Sequence, residues 1–216
     1  AIRKVILSNF PDACINGEEF GITGGQGCTW HVDPLDGTIN FKSGIPASCI
    51  SIGVECNDEF VIGVIFNPFT NELFSAMKNA GATYNGKKIT VNQLSLKDGV
   101  HLVDASFRDD RAKRKMQYMG TMLPFCSKFR MIGSNALQLA EVAKGSCVCS
   151  LSDAVHAYDF AAGVVIVEEA GGIVTDQYGE KPTATSVVIL ASNNRATHDI
   201  FLAAAKNCYT DYNGMD

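Results

Sequence analysis

The stretch Trp30-His-Val-Asp-Pro-Leu-Asp-Gly-Thr-Ile-Asn-Phe41 sets two carboxylates, Asp33 and Asp36, three positions apart. A strand ending at Asp33 meets Pro34, which fixes the backbone. Gly37 then permits a tight bend, and Thr38 supplies a hydroxyl and a backbone N–H. In that arrangement both carboxylates and the Leu35 carbonyl face one point, which suits a hard divalent cation that takes oxygen ligands. N–H groups beyond the turn could hold an anion beside the cation. The same spacing also fits an ordinary Asp-Pro turn with Asp36-Gly37 as turn residues. Two more acidic elements could join. Glu18-Glu19, after Gly17, lies one short loop upstream of the Asp33 strand; alone it reads as a solvated pair. Asp159, in Tyr158-Asp-Phe-Ala-Ala-Gly163, stands at the start of an apolar helix, where a helix N-cap is the ordinary role. The small residues Ala161, Ala162 and Gly163 require a neighbour packed close to that helix.

The elements that must position these groups follow from pattern. Ile2 to Phe10 reads as the end of a short helix stopped by Pro11, and the glycine-rich run 21–27 as a surface loop. Thr29 to Asp33 is a short strand. Ser48 to Glu55, Glu59 to Phe66 and Leu73 to Ala76 are further strands, and Asn85-Gly86 is a tight-turn signal. Beyond residue 98 strands and helices alternate: strands at 101–106, 129–132, 147–151, 173–175 and 187–191, and helices at 109–119, 135–144, 159–170 and 197–207. The reading is an α/β chain of two subdomains, residues 1–98 and 99–216, forming one catalytic unit with its site between them.

Composition narrows the function. Of 216 residues, 46% are hydrophobic and 19% charged, which supports a packed core and excludes disorder. A net charge of −5 gives no general pull towards nucleic acid or an anionic membrane. The longest apolar stretch, Phe160 to Val167, is far shorter than the ~20 residues of a spanning helix. No secretory signal is read in the first ten residues, so the eight cysteines are expected to be buried free thiols in a reducing cytoplasm. His31 reads as structural. Lys113, Arg114 and Lys115 read as a solvated basic face, and Ser106 as a residue facing the cleft. The start at Ala1 rather than at a methionine reads as a trimmed or partial chain.

Together, Gly-Glu-Glu19, Trp-x-x-Asp-Pro-x-Asp-Gly-Thr-x-Asn-Phe41, Arg130-Met-Ile-Gly-Ser-Asn-Ala136, aromatic-Asp159-x-Ala-Ala-Gly163 and Glu168-Glu-Ala-Gly-Gly172 resemble the inositol monophosphatase superfamily over essentially the whole chain. The resemblance implies a layered αβαβα sandwich of the inositol monophosphatase and fructose-1,6-bisphosphatase type. It also implies lithium-sensitive, Mg²⁺-dependent hydrolysis of a small phosphate monoester, and a homodimer. Carried over residue by residue, Glu18, Asp33, the Leu35 carbonyl, Asp36 and Asp159 fall on the ligands of two or three Mg²⁺ ions. Gly37 and Thr38 fall on the phosphate turn. Ser134 and Asn135 fall on the helix start that contacts the rest of the substrate. Glu19 falls where water or a further metal is oriented, and Thr38 where the nucleophilic water is activated. Paired Mg²⁺ ions would neutralise the phosphate, lower the pKa of a bound water and steady the leaving oxygen.

Two departures matter. Family members begin with two helices ahead of the Gly-Glu-Glu element, and the aspartate that partners the motif threonine lies there, upstream of Ala1 in this numbering. Inositol-preferring members carry a glutamate seven residues before the last metal aspartate; here that position is Ser152, with Asp153 beside it. Tyr158 replaces the usual tryptophan. The favoured substrate is myo-inositol monophosphate. Fructose 1,6-bisphosphate, NADP and 3′-phosphoadenosine phosphates are the alternatives, and binding of metal and phosphate without turnover is a third reading.

Overall fold

The computed structural model describes residues 1–104, 109–126 and 128–214; Ser106 lies outside them. Strands β1 (Cys14–Gly17), β2 (Gly21–Gly24), β3 (Thr29–Asp36), β4 (Cys49–Cys56), β5 (Glu59–Asn67), β6 (Glu72–Met77), β7 (Gly81–Tyr84) and β8 (Lys87–Lys88) form one sheet in the order β2-β1-β3-β4-β5-β6-β7-β8. Pairing is antiparallel except between β1 and β3, which run parallel. The second sheet takes β9 (His101–Val103), β10 (Phe129–Arg130), β11 (Cys149–Asp153), β12 (Ile173–Thr175) and β13 (Val188–Ser192) in the order β10-β9-β11-β13-β12. The helices are α1 (Ile2–Asn9), α2 (Thr38–Lys42), α3 (Asp109–Met122), α4 (Asn135–Ala143), α5 (Ala157–Glu169) and α6 (Arg195–Tyr209).

Three apolar layers order these elements. Ile6 of α1 packs with Ile15 and Val32 on the outer face of the first sheet. The inner face of that sheet, α4, α5 and one face of the second sheet share a core that includes Phe60, Ile65, Leu139, Phe160 and Ile189. The other face of the second sheet meets α3 and α6 through Tyr118, Leu151, Leu190 and Phe201. The result is helix, sheet, helices, sheet, helices: the αβαβα sandwich that the resemblance implies.

Helix α5 is seated by small residues on both sides of its contact. A Cβ on Gly53 would come within 2.5 Å of the Ala161 Cβ, and one on Gly63 within 2.2 Å of the Ala162 carbonyl oxygen. No larger pair of residues allows the helix so near the strands. On its other side Gly163 leaves room for Leu139, which an added Cβ would meet at 2.4 Å. These are the close neighbours that Ala161, Ala162 and Gly163 demanded.

Four expectations are corrected. The run 21–27 is not wholly loop: Gly21–Gly24 pairs with β1 as an edge strand, where side-chain-free residues are tolerated. The strand expected to stop at Asp33 runs to Asp36, with its register against β4 broken between those two residues. Cys28 and Cys56 form a disulfide, while the other six cysteines are free. The bond follows from register: Thr29 pairs with Glu55, so Cys28 and Cys56 are the next residues across two adjacent strands. Lys115 is not on a solvated face but fully buried. It lies on the side of α3 that carries Tyr118 and Met122, and its Nζ pairs with Asp153 at 2.7 Å and donates to the Asp104 carbonyl. The Tyr209 hydroxyl donates to the other Asp153 oxygen at 2.9 Å.

Each of the last two features gives an expected outcome. Constraining a loop of this length stabilises a chain by about 3–4 kcal/mol. Reduction, or Cys28→Ser with Cys56→Ser, should therefore lower the Tm by roughly 6–16 °C in a calorimeter. Lys115→Met leaves Asp153 buried without its cation and should cost about 3–5 kcal/mol in urea unfolding.

Candidate metal centre and active site

Asp33 and Asp36 come from the irregular end of β3, and Asp159 from the first turn of α5. One carboxylate oxygen of each lies within 4.8 Å of the other two. Among the described residues no other cluster of His, Cys, Asp and Glu side chains is gathered in this way. Asp33 and Asp36 are buried.

Each carboxylate is held by donors of its own. Asp33 accepts from the Leu35 N–H at 2.8 Å. Asp159 accepts from the His156 N–H at 2.7 Å. That contact makes Asp159 the third residue of α5 folding back on its N-cap, His156, and not the N-cap itself. Ser51 Oγ, on β4, donates to the Tyr158 carbonyl at 3.1 Å and ties the start of α5 to the sheet. Asp36 accepts from Ser134 Oγ at 2.5 Å, the Ala136 N–H at 2.8 Å and the Asn135 N–H at 3.3 Å. Its carboxylate therefore sits on the N-terminus of α4, where the helix dipole favours an anion. The Cys49 thiol donates to the same carboxylate at 3.7 Å.

The electrostatics are those of crowded like charges. Burial first, then the charge of Asp36, with Glu18 and Asp159 adding, pushes Asp33 up to about 8 against the pull of the Leu35 N–H. Burial, with Asp36, Glu18 and Asp104 adding, pushes Asp159 up to about 7. Asp36 is raised by burial, and the donors of Ser134, Ala136 and Asn135 oppose that rise. Among the described residues, no basic side chain is among the leading contributors to these shifts. A divalent cation with oxygen ligands supplies the missing charge, so the donor set fits Mg²⁺.

The other expected residues fall as follows. Glu18 and Glu19 lie on the exposed turn after β1; Glu18 is outside the cluster, although its charge acts on Asp33 and Asp159. The Leu35 carbonyl accepts the Thr38 hydroxyl at 3.0 Å. Gly37 is left-handed, with φ of 85°, and precedes α2. A side chain there would also strike the Ala47 carbonyl at 2.8 Å, so only glycine serves. Ser134 caps α4 by accepting the Leu137 N–H and gives its hydroxyl to Asp36. Asn135 Oδ1 is buried with no hydrogen-bond partner among the described residues, and so is Ser152 Oγ. Asp153 cannot stand in for an acid at position 152, because successive strand residues face opposite ways and its carboxylate is spent on Lys115 and Tyr209. His31 is buried between Asn16 and Glu55, a structural setting. Four residues at the site went unread in the sequence: Asn40, Cys49, Ser51 and Asp104. Only Asn40 had a signal, its place inside the Asp33 to Phe41 motif.

Three carboxylates gathered beside a glycine turn in a five-layer sandwich form a group that could hold a divalent cation. The comparisons with known proteins narrow it. The model of the inositol monophosphatase family matches residues 1–210. The chain is 36% identical to Nus factor SuhB of Pasteurella multocida, over 98% of this chain and 80% of that protein. It is 34% identical to a fructose-1,6-bisphosphatase/inositol-1-monophosphatase of Aquifex aeolicus, over 95% of this chain and 77% of that one. The solved inositol monophosphatase of Anabaena superposes with a TM-score of 0.88 at 32% identity, covering 98% of this chain and 86% of its own. The chain belongs to the inositol monophosphatase family, and its relatives point to a phosphatase of that superfamily.

The raised carboxylates make stability depend on pH in a stated direction. Below about pH 4 these groups are protonated in both states and contribute nothing. As pH rises from there towards 8, the unfolded chain ionises freely and the folded one does not, so stability is lost across that window. In EDTA the Tm should fall between pH 5 and pH 8.5, and Mg²⁺ should raise it more at pH 8.5 than at pH 5. Calorimetry at both pH values, with and without the ion, checks this; a Mg²⁺ shift equal at both would contradict it.

Proposed function

We propose that this chain is a Mg²⁺-dependent phosphomonoesterase of a small polyol phosphate, with myo-inositol monophosphate as the leading substrate and inositol and phosphate as products. The observation that carries the reading is the convergence of buried Asp33 and Asp36 with half-buried Asp159, electrostatically frustrated, beside the Gly37-Thr38 turn. In this reading two or three Mg²⁺ ions, when bound, neutralise the phosphate, sharpen the attacking water and stabilise the leaving oxygen. Asp33, Asp36, Asp159, Glu18 and the Leu35 carbonyl hold them. The backbone of Gly37 and Thr38 orients the phosphate, Glu19 and Thr38 position the water, and Asn135 meets the remainder of the substrate. Ser134 acts through Asp36. Residues 1–98 and 99–216 serve as two halves of one catalytic unit.

The substrate is the less constrained part. A hydroxyl at Ser152 repels an anionic or bulky leaving group less than a carboxylate would. Fructose 1,6-bisphosphate, NADP and 3′-phosphoadenosine phosphates are therefore the second reading, and the description of the Aquifex relative is in keeping with the first of them. Binding of metal and phosphate without turnover is a third reading. The proposal extends to a lithium-sensitive homodimer, for which the exposed Ile39 and the Phe41–Phe69 ring pair offer apolar surface. It places the protein in a reducing cytoplasm, where the exposed side of the Cys28–Cys56 bond would be open to thiols, and includes no nucleic-acid ligand. Among the described residues no helix is long and apolar enough to cross a membrane.

Phosphate release from inositol 1-phosphate, fructose 1,6-bisphosphate and NADP, each with Mg²⁺ and with EDTA, tests the reading. Release that needs Mg²⁺ is the expected result, and its rank order names the substrate. Asp33→Asn should lower the rate by more than the ~10–100-fold cost of an outer partner of a metal ligand. The same variant should raise the Tm in EDTA at pH 8.5, since it removes one of the crowded charges. Normal turnover by Asp33→Asn would sink the assignment.

A further inference from the structure

Asn40 has no part in the roles assigned above, yet its surroundings are unusual for a residue in a five-residue helix. It is buried, and its side-chain amide donates to the Ala47 carbonyl at 2.8 Å and the Ile132 carbonyl at 2.7 Å, with the Gly133 carbonyl at 3.3 Å. An amide nitrogen carries two hydrogens, so the first two bonds use both. One bond closes the loop that follows α2. The other crosses 92 positions of sequence to the segment that leads into α4.

That segment is the one that positions α4. Gly133 has a left-handed φ of 77°, and a Cβ on it would lie 3.0 Å from Asn40 Nδ2. Ser134 follows as the cap of α4. Asp36 and Asn40 therefore grip the same lead-in from two sides: Asp36 takes donors from Ser134, Asn135 and Ala136, and Asn40 donates to the Ile132 carbonyl, with the Gly133 carbonyl close by. Gly37 and Thr38 lie between them. A Cβ on Gly37 would come within 3.3 Å of the Gly133 carbonyl oxygen, so the turn and the lead-in touch directly. Ser48 Oγ donates to the Gly37 carbonyl at 2.9 Å and fixes the turn from the other side.

We infer that Asn40 is a positioning residue that sets the distance between the Gly37-Thr38 turn and the first turn of α4, and so aligns the phosphate of a substrate with the group it esterifies. This rests on the functional reading above, because it assigns the phosphate to one turn and the remainder to Asn135. Asn40 touches neither part of the substrate. Its effect is felt by a ligand that spans both turns, and hardly at all by one that occupies the first alone.

Asn40→Asp keeps the shape and removes both donors. With Mg²⁺ present, kcat/KM for inositol 1-phosphate, or for whichever ester proves best, should fall at least 10-fold. Inhibition by inorganic phosphate, which needs only the Gly37-Thr38 turn, should keep its Ki within about 2-fold. A merely structural role would move both constants together with the Tm. Equal loss in both, or no loss in either, would overturn the inference while leaving the phosphatase reading intact. If the native chain hydrolyses nothing, the phosphatase reading fails, and amide hydrogen exchange decides the positional claim. In Asn40→Asp the N–H groups of Asn135 to Leu137 should exchange at least 10-fold faster, with those of α5 unchanged; unaltered exchange at 135–137 would refute it. Asn40→Ser, shorter but still polar, takes the same measurements if the aspartate variant does not fold.

Discussion

Three carboxylates, two of them buried and one half-buried, converge on one point, and several local features of the chain keep them there. Like charges brought together away from water repel strongly, and the field at Asp33 and Asp159 records it. Such an arrangement survives only when its surroundings over-determine it. Each acid has backbone donors of its own: Leu35 for Asp33, His156 for Asp159, Asn135 and Ala136 for Asp36. The geometry is thus written into the backbone.

The layers follow from the same need. Asp159 must reach β3 from a helix that lies between the sheets, so that helix has to approach the first sheet closely. Gly53 and Gly63 on the strands and Ala161 and Ala162 on α5 make the approach possible, and burial of Phe60 and Phe160 holds it. Helix α4 then packs on α5 through Leu139 and Gly163, which brings its N-terminus to Asp36. One helix thus supplies a carboxylate and the other supplies the dipole that tempers another. The outer core around Tyr118 and Phe201 stands one layer away and carries its own buried pair, Lys115 and Asp153.

What could be read in the sequence was what is local. Asp33, Pro34, Asp36 and Gly37 sit within five residues, so their chemistry and the turn that aims them were visible together. Ala161, Ala162 and Gly163 announced a close neighbour without naming it. The features that escaped depend on partners far along the chain. The Cys28–Cys56 bond exists because β3 and β4 pair in one register, and a shift of one residue would have parted the two sulfurs. Lys115 looked like one member of a basic run because a run of charges carries no mark of which side of the helix meets the core. Asn40 was visible as a letter of the motif, but its partners at Ile132 and Gly133 belong to another part of the fold.

Strand alternation also bears on what the site would select. On β11 Ser150 and Ser152 face the core shared with α4 and α5, while Leu151 faces the other core and Asp153 is held there by Lys115 and Tyr209. An acid moved by one position along a strand is an acid moved to the other side of a sheet, so Asp153 contributes to stability where a carboxylate at 152 would have met substrate. The Ser152 hydroxyl and the Asn135 amide oxygen are both buried and without partners among the described residues. Neutral groups in such a place discriminate by hydrogen bonding and shape, because leaving them unpaired is costly. In the function proposed above, the choice of ester would rest on how well its hydroxyls satisfy those two oxygens, and on the separation inferred for Asn40.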